Sequence, residues 1–461
     1  MNPCDTRATL PGKVRMSREI TPLNDRRTIF GWCVYDWANS AYATTVLAGL
    51  LPAYFVEAVV GPDGVMIGGQ HFRATTLWAL SVAAAAIVVF LTAPVLGAVA
   101  DFTAARKRFL LMFAYLGSLF TTLLYFCGSG DVGRTLAFFV LGQVGFVGAN
   151  VFYDAFLPQI ATADRMDRVS GWGYAAGYVG GGVQFALALL LILFHETLGI
   201  DQALAARIGL AMAGLWWAGF TIITALTLRE APATQPLPER YRNWPRTAAV
   251  AATGFRRTLD TARRVRHYRP LVLFLVAFML YNDGIQTVIA MATIFGKEEL
   301  RLSTSDLMLT LLVIQGVAMV GALVFGRLAG WIGTKRAVMV SLVLWSGVVI
   351  YAYFVTSRFE YFALGGVVGI VLGGSQALSR SLYGSMVPPE ASAEFFGFYT
   401  VFSKFSAIGG PLAMAAIIHR TGSLRLSIVS VVVFFVLGLV LLAFVNEQKA
   451  RQMRTVDAHA E

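Results

Sequence analysis

Residues Tyr35 to Tyr42 read YDWANSAY and place a carboxylate, Asp36, one helical turn before a carboxamide, Asn39, inside a run that is otherwise apolar from Ile29 to Val60. Similar groups recur down the chain in apolar surroundings: Asn150 with Asp154, Asn282 with Asp283 and Gln286, Gln376 with Arg380, and Lys404. An ionisable side chain at lipid depth costs about 2.5–3.5 kcal/mol on insertion scales, so it usually faces a cavity or a partner. Carboxylates, carboxamides, a guanidinium, an ammonium and the hydroxyl of Tyr42 can bind a polar solute and carry a proton. They do not make an enzyme: there is no Gly-x-Ser-x-Gly, no nucleophile paired with a base, and no phosphate-binding glycine loop at the end of an apolar run. His71, His195, His267, His419 and His459 fall in loops or tails without ligand spacing, so no metal and no cofactor are expected. Cys4, Cys33 and Cys127 show no metal spacing and read as unpaired.

What must position these groups is a set of membrane helices. The chain has 461 residues, 57% of them hydrophobic and 14% charged, with a mean hydropathy of +0.66, well beyond a soluble globular average. A hydrocarbon core of about 30 Å needs roughly 20 apolar residues per helix. Twelve such runs are visible, near 28–59, 75–100, 109–128, 134–157, 170–194, 205–228, 270–295, 306–328, 337–355, 360–382, 395–418 and 426–445. They are continuous apolar runs and not ten-residue alternations, which excludes a transmembrane barrel. The expected fold is all-α and integral to the membrane: a tail (1–28), a six-helix half (29–228), a basic linker (229–269), a second six-helix half (270–445) and a tail (446–461). Within the linker, TGFRRTLDTARRVRHY suggests a short basic interfacial helix.

Charge sets the expected orientation. With both tails and the linker in the cytosol, 26 of the 37 Lys and Arg residues lie on that side and 8 on the other, as the positive-inside rule requires. The net charge of +11 follows from that topology, which leaves no nucleic-acid partner to invoke. No secretory signal precedes the first run.

The polar groups in the runs recur every third helix. Runs 1, 4, 7 and 10 carry the Asp, Asn, Gln and Arg residues named above; runs 3, 6, 9 and 12 carry almost none. Four helices lining a central cavity and four facing lipid would produce this pattern. Gln143, Asn150 and Asp154 share one helical stripe, as do Gln376 and Arg380. Asp36, Asp283 and Lys404 read as the deepest charges and the best candidates for function, with Asp36 and Asp283 lining the cavity from opposite halves and at least one of them exchanging a proton. The low helix propensity of Asn282-Asp283-Gly284 suggests local unwinding of run 7.

The two halves also repeat weakly. TVLA (45–48) answers TVIA (287–290), and GAVADFTAARKR from Gly97 answers GRLAGWIGTKR from Gly326. Gly97, Asp101, Arg106 and Lys107 resemble the loop signature of the major facilitator superfamily, Gly-x-Leu-Ala-Asp-x-x-Gly-Arg-Lys. Ala104 stands at the inner glycine, the basic pair comes one residue late, and Gly330 occupies the acidic position of the second copy. Gly173, Gly177, Gly181 and Gly182 are similar to the superfamily's antiporter glycines, with Tyr178 at the usual proline. A narrower resemblance, to the vacuole effluxer family of autophagy-related permeases and their bacterial relatives, rests on YDWANSAY, YNDGIQTVIAMA from Tyr281, GGSQALSRS from Gly373 and EFFGFYTVFSKFSAIGGP from Glu394.

This resemblance implies two pseudo-repeated halves, a conformational lock at Gly97, Asp101, Arg106 and Lys107, a solute site between the halves and, through the bacterial relatives, a bacterial inner membrane as the location. The expected activity is secondary active transport of a small, amino-acid-like solute by alternating access with proton coupling, in a protein that is a monomer in the bilayer. The alternatives are export of amphipathic or cationic compounds, or a non-transporting sensor on the same fold. Topology is testable directly: single cysteines at positions 64 and 200 should label from outside intact cells and one at 250 should not, and the reverse pattern would refute the orientation.

Overall fold

A computed structural model describes residues 22–230, 244–263 and 268–452. Among the described residues twelve helical segments are long and apolar enough to cross a membrane: spans 1 to 6 are Arg26–Val60, Ala74–Thr103, Arg106–Phe126, Val132–Ile160, Met166–Leu193 and Gln202–Thr227, and spans 7 to 12 are Arg269–Glu298, Thr304–Ile332, Thr334–Ala352, Arg358–Met386, Pro389–Thr421 and Leu424–Phe444. A helix over Arg246–Arg263 lies in the linker, against span 2, where the Thr258 hydroxyl donates to the Pro94 carbonyl at 3.3 Å. Among the described residues the one departure from an all-α chain is a hairpin between spans 1 and 2, Val65–Ile67 paired antiparallel with Gln70–Phe72. Gly68 and Gly69 make its turn with φ of 58° and 82°, which side chains with a Cβ seldom adopt.

Local sequence accounts for the ends of these helices. Asp25 caps span 1 by accepting from the Thr28 amide at 2.9 Å. Ser303 with Asp306 and Ser357 with Glu360 form capping boxes on spans 8 and 10, each satisfying amides that the first helical turn leaves unpaired. Span 1 changes character midway: Arg26–Ala41 is α-helical, whereas Tyr42–Leu50 and Phe55–Val60 are wound as π-helix. Such segments are uncommon and concentrate near functional sites.

Run 7 does not unwind at Asn282-Asp283-Gly284, contrary to the propensity expectation; span 7 is continuous. The break is in span 11, between helices Ser392–Phe405 and Gly409–Thr421. Its physical reason is on span 7: Asp283 accepts from the Gly410 amide at 2.9 Å and Asn282 donates to Ser406 Oγ at 2.5 Å. The polar pair thus satisfies the freed backbone of a neighbouring helix, as non-helical backbone at membrane depth requires.

The halves meet along two seams, span 2 against span 11 and span 5 against spans 8 and 10. Small residues let the backbones approach. A Cβ at Gly97 would run into the Ala393 carbonyl, and one at Gly171 would lie 2.8 Å from the Ala322 carbonyl oxygen. Both contacts lie at the face reached by the first and last described residues, called here the terminal face. Gly97→Val should therefore force span 2 off span 11 and raise the reactivity of introduced cysteines along that seam; unchanged reactivity in a folded variant would show that Gly97 is not a closing contact.

Candidate functional site

Arg380 of span 10 is 2% exposed and reaches out of its own half. One guanidinium nitrogen lies 3.1 Å from Asp154 Oδ1 on span 4 and 3.6 Å from Asp36 Oδ2 on span 1. Nε donates to Ser170 Oγ at 3.0 Å and the other terminal nitrogen to the Ser170 carbonyl at 2.9 Å, both on span 5. The rings of Trp32, Tyr153 and Tyr174 surround the guanidinium carbon, with centroids 4.7, 5.2 and 4.1 Å away. Tyr153 also donates its hydroxyl to Asp36 at 2.9 Å. Every one of these partners belongs to the N-terminal half. Gly173 and Gly177 on span 5 make room: a Cβ at Gly173 would meet Trp32 and Tyr153 at 2.7 Å, and one at Gly177 would meet Asp36 Oδ1 at 2.8 Å.

A cavity of about 410 Å³ extends from this cluster toward the face opposite the termini, between the halves. Its N-terminal wall is polar, with Asp36, Asn39, Thr44, Asn150 and Tyr178; its C-terminal wall is mostly aliphatic and reaches Val348, Val349 and Val431 on spans 9 and 12, which the sequence pattern assigned to lipid. Cross-half hydrogen bonds edge it: Tyr178 to Gln376 Oε1 at 2.6 Å and Gln315 to Thr44 Oγ1 at 2.5 Å. A second, more polar cavity of about 140 Å³ shares Asn150, Asp154, Tyr174 and Gln376 with the first and adds Asn282, Gln286, Ser403 and Lys404. Lys404 has no ion-pair or hydrogen-bond partner among the described residues. Its amine lines a polar chamber.

Asp36, Asn39, Asn150, Asn282, Gln286, Gln376, Arg380 and Lys404 thus all line one of these cavities. Asn39 donates to Asn150 at 2.5 Å, joining spans 1 and 4. Two expectations need correction. Asp283 lines neither cavity; its carboxylate is turned to Gly410 in the break of span 11. Tyr42 is 1% exposed and stacks on Phe146 with centroids 4.9 Å apart, beside Trp217, behind the cavity wall. Asp154 lies in the cluster although the sequence did not place it among the deepest charges. Ser170, Tyr174 and Trp32 carried no chemical signal in the sequence, since each is an ordinary packing residue until Arg380 arrives.

The loop signature forms a second connection between the halves, at the terminal face. Asp101 pairs with Arg106 and accepts from the Ala393 and Glu394 amides at 3.1 and 2.9 Å, at the start of the main helix of span 11. Arg106 donates to the Glu390 carbonyl at 2.7 Å. Ala104, at the signature's glycine position, is held at φ 44°. Lys107 donates to the Leu228 carbonyl at 2.7 Å, and Glu230, just beyond span 6, accepts from the Arg106 and Lys107 amides at 2.7 and 3.1 Å. Burial pushes the Glu230 carboxyl above its ordinary range, against the opposing pull of those amides. In the other copy Gly330 supplies no acid. Asp167 at the start of span 5 does so from across the seam, accepting from Thr334 Oγ1 at 2.8 Å and Ser381 Oγ at 2.5 Å.

Two six-helix halves enclosing a central polar cavity, tied together at one face, define a transporter of the major facilitator type, and such proteins are not enzymes. The profile of the vacuole effluxer Atg22-like family matches residues 24–455, and the chain belongs to that family. It is similar to the uncharacterized MFS-type transporter YxiO of Bacillus subtilis (strain 168), with 34% identity over 419 residues, 90% of this chain and 94% of that protein. It is also 29% identical over 305 residues to autophagy-related protein 22-1 of Neosartorya fischeri, covering 62% of this chain and about half, 49%, of that longer protein. Among solved structures, the human organic anion transporter MFSD10 (TETRAN) superposes with a TM-score of 0.67 at 15% identity, over 90% of this chain and 99% of that one. The protein is therefore an integral membrane transporter of small molecules.

The two span-7 residues make a separable prediction. Asp283→Asn should lower the melting temperature by several degrees, because a charge-assisted hydrogen bond to a buried amide is worth about 1.5–3 kcal/mol, while leaving the pH dependence of transport unchanged. A normal melting temperature with a shifted pH profile would restore Asp283 to the proton pathway.

Proposed function

We propose that this protein is a secondary active transporter that moves an amino-acid-like zwitterion by alternating access, coupled to protons through Asp36 and Asp154. The observation that carries the reading is one guanidinium facing two carboxylates at a buried junction between the halves. A single positive charge cannot neutralise two negative ones, so a proton or a cationic group must offset the surplus when water is excluded. Lys404, unpaired in the adjoining chamber, supplies the complementary feature: it would take the substrate carboxylate, and Asp154 with Tyr174 would face the substrate ammonium. Both termini in the cytosol, and a monomeric unit, complete the reading.

Alternating access follows from the same contacts. Opening the terminal face requires Arg380 to leave Asp36, Asp154 and Ser170, and Asp101 to leave the start of span 11. Protonating one carboxylate, or binding an ammonium there, would weaken the hold on Arg380 and so tie opening to occupancy. The aliphatic wall of the larger cavity favours a second reading, an exporter of amphipathic cations, in which the same carboxylates bind the charged group.

Transport in proteoliposomes separates these. Lys404→Gln should raise KM for a zwitterionic amino acid at least tenfold, a loss of about 1.4 kcal/mol or more. It should leave uptake of an amphipathic cation unchanged. Asp154→Asn should abolish pH-gradient-driven accumulation while substrate exchange persists. Normal zwitterion KM in Lys404→Gln together with cation transport would favour the exporter. Gradient-driven accumulation intact in both Asp36→Asn and Asp154→Asn would remove the proton mechanism.

A further inference from the structure

A third cavity lies away from the transport route, of about 250 Å³, on the outer side of the seam between spans 5 and 8. Arg168 and Trp172 line it from the N-terminal half and Arg327 and Trp331 from the C-terminal half. All four lie within roughly 9 Å of the terminal-face ends of their helices, at 1.5 Å per residue. Close backbone contacts bound it: a Cβ on Gly171 would be 2.8 Å from the Ala322 carbonyl oxygen, and one on Gly326 would be 3.2 Å from the Asp167 carbonyl oxygen.

No ion pair among the described residues holds the charges here. Arg168 has no ion pair or hydrogen bond among the described residues, and Arg327 donates only to the Leu323 carbonyl of its own helix, at 3.4 Å. Asp164, one turn before Arg168, is outside ion-pairing distance and attracts it only through space, and Asp167 is occupied by Thr334 and Ser381. Two guanidiniums converging from opposite halves, with no carboxylate between them, suit a phosphate, whose oxygens match the planar fork. The tryptophans say where that phosphate comes from. Trp331 is 82% exposed and Trp172 48% exposed, and such rings settle at the headgroup level of a bilayer.

We propose that this cavity binds the headgroup phosphate of an anionic phospholipid from the leaflet at the terminal face, and that the bound lipid bridges the two halves and favours the state in which this face is closed. Basic pockets between spans at this depth suit acidic headgroups. Opening the terminal face parts spans 5 and 8, separates Arg168 from Arg327 and dismantles the site, so the lipid binds one conformation better than the other, which is all that a shift in population needs.

Native mass spectrometry of the detergent-purified full chain with phosphatidylglycerol tests this. Wild type should retain one more phosphatidylglycerol than Arg168→Gln/Arg327→Gln, whose affinity should fall roughly tenfold or more, whereas Arg168→Lys/Arg327→Lys should keep most of it. Arg256→Gln/Arg263→Gln on the linker helix should retain the lipid, which separates this site from general attraction of basic residues to acidic lipid. Equal retention by the glutamine double variant would overturn the proposal, and so would inorganic phosphate raising the wild-type melting temperature as much as phosphatidylglycerol does. A readout without arginine substitutions guards against misfolding: the Trp331 fluorescence, taken as wild type minus Trp331→Phe, should be quenched more by brominated phosphatidylglycerol than by brominated phosphatidylcholine. Equal quenching would refute the site.

Discussion

The burial of Arg380 among partners from the opposite half is the constraint on which the rest of the structure depends. A guanidinium removed from water is tolerable only if nearly every donor is satisfied, and removing one partner of such a buried pair typically costs about 3–5 kcal/mol. Asp154, Asp36 and both oxygens of Ser170 meet the donors, and three aromatic rings meet the faces. This explains features that otherwise look unrelated. Gly173 and Gly177 are small because larger residues would occupy the space of the cluster. Tyr153 orients Asp36, and Trp32 holds Tyr153 in turn by donating to its carbonyl at 2.8 Å.

Around that inner layer, the terminal face is closed by contacts whose acids both come from the N-terminal half. Asp101 meets backbone amides of span 11, and Asp167 meets hydroxyls on spans 9 and 10. The pseudo-repeat would place an acid at Gly330; the same electrostatic task is done from the other side of the seam. Pseudo-symmetry therefore governs where the halves are joined but not which half contributes the charge. Because Arg106, Lys107 and Glu230 share one network with Leu228, the start of the linker is fastened to the turn after span 2.

The central cavity divides its labour in the opposite sense. Polar groups come mainly from spans 1, 4 and 5, aliphatic surface from the C-terminal half, and the single unpaired ammonium from the segment of span 11 just before its break. That break is stabilised by Asn282 and Asp283, so the pair positions Lys404 indirectly by fixing the helix end that carries it.

Much of this was legible in the sequence because it rests on local and periodic properties. Length and hydropathy required twelve spans, the lock signature marked the turn after span 2, and the recurrence of polar residues every third helix marked helices that bring polar groups to the cavity, but not spans 5, 8, 9 and 12, which line it as well. Those features follow from the cost of placing polar atoms in hydrocarbon, which acts on each helix separately. Partner choice does not act on each helix separately. Asp154 and Asp283 are equally conspicuous acids in apolar runs, yet one faces a guanidinium 226 residues away and the other a backbone amide 127 residues away. Likewise the low propensity of Asn282-Asp283-Gly284 did not unwind span 7; the break lies in span 11, because side chains satisfy broken helices across a packing interface. Depth along a helix can be counted from sequence; the rotation that aims a side chain at a cavity, a neighbour or a lipid is set only when twelve helices pack together.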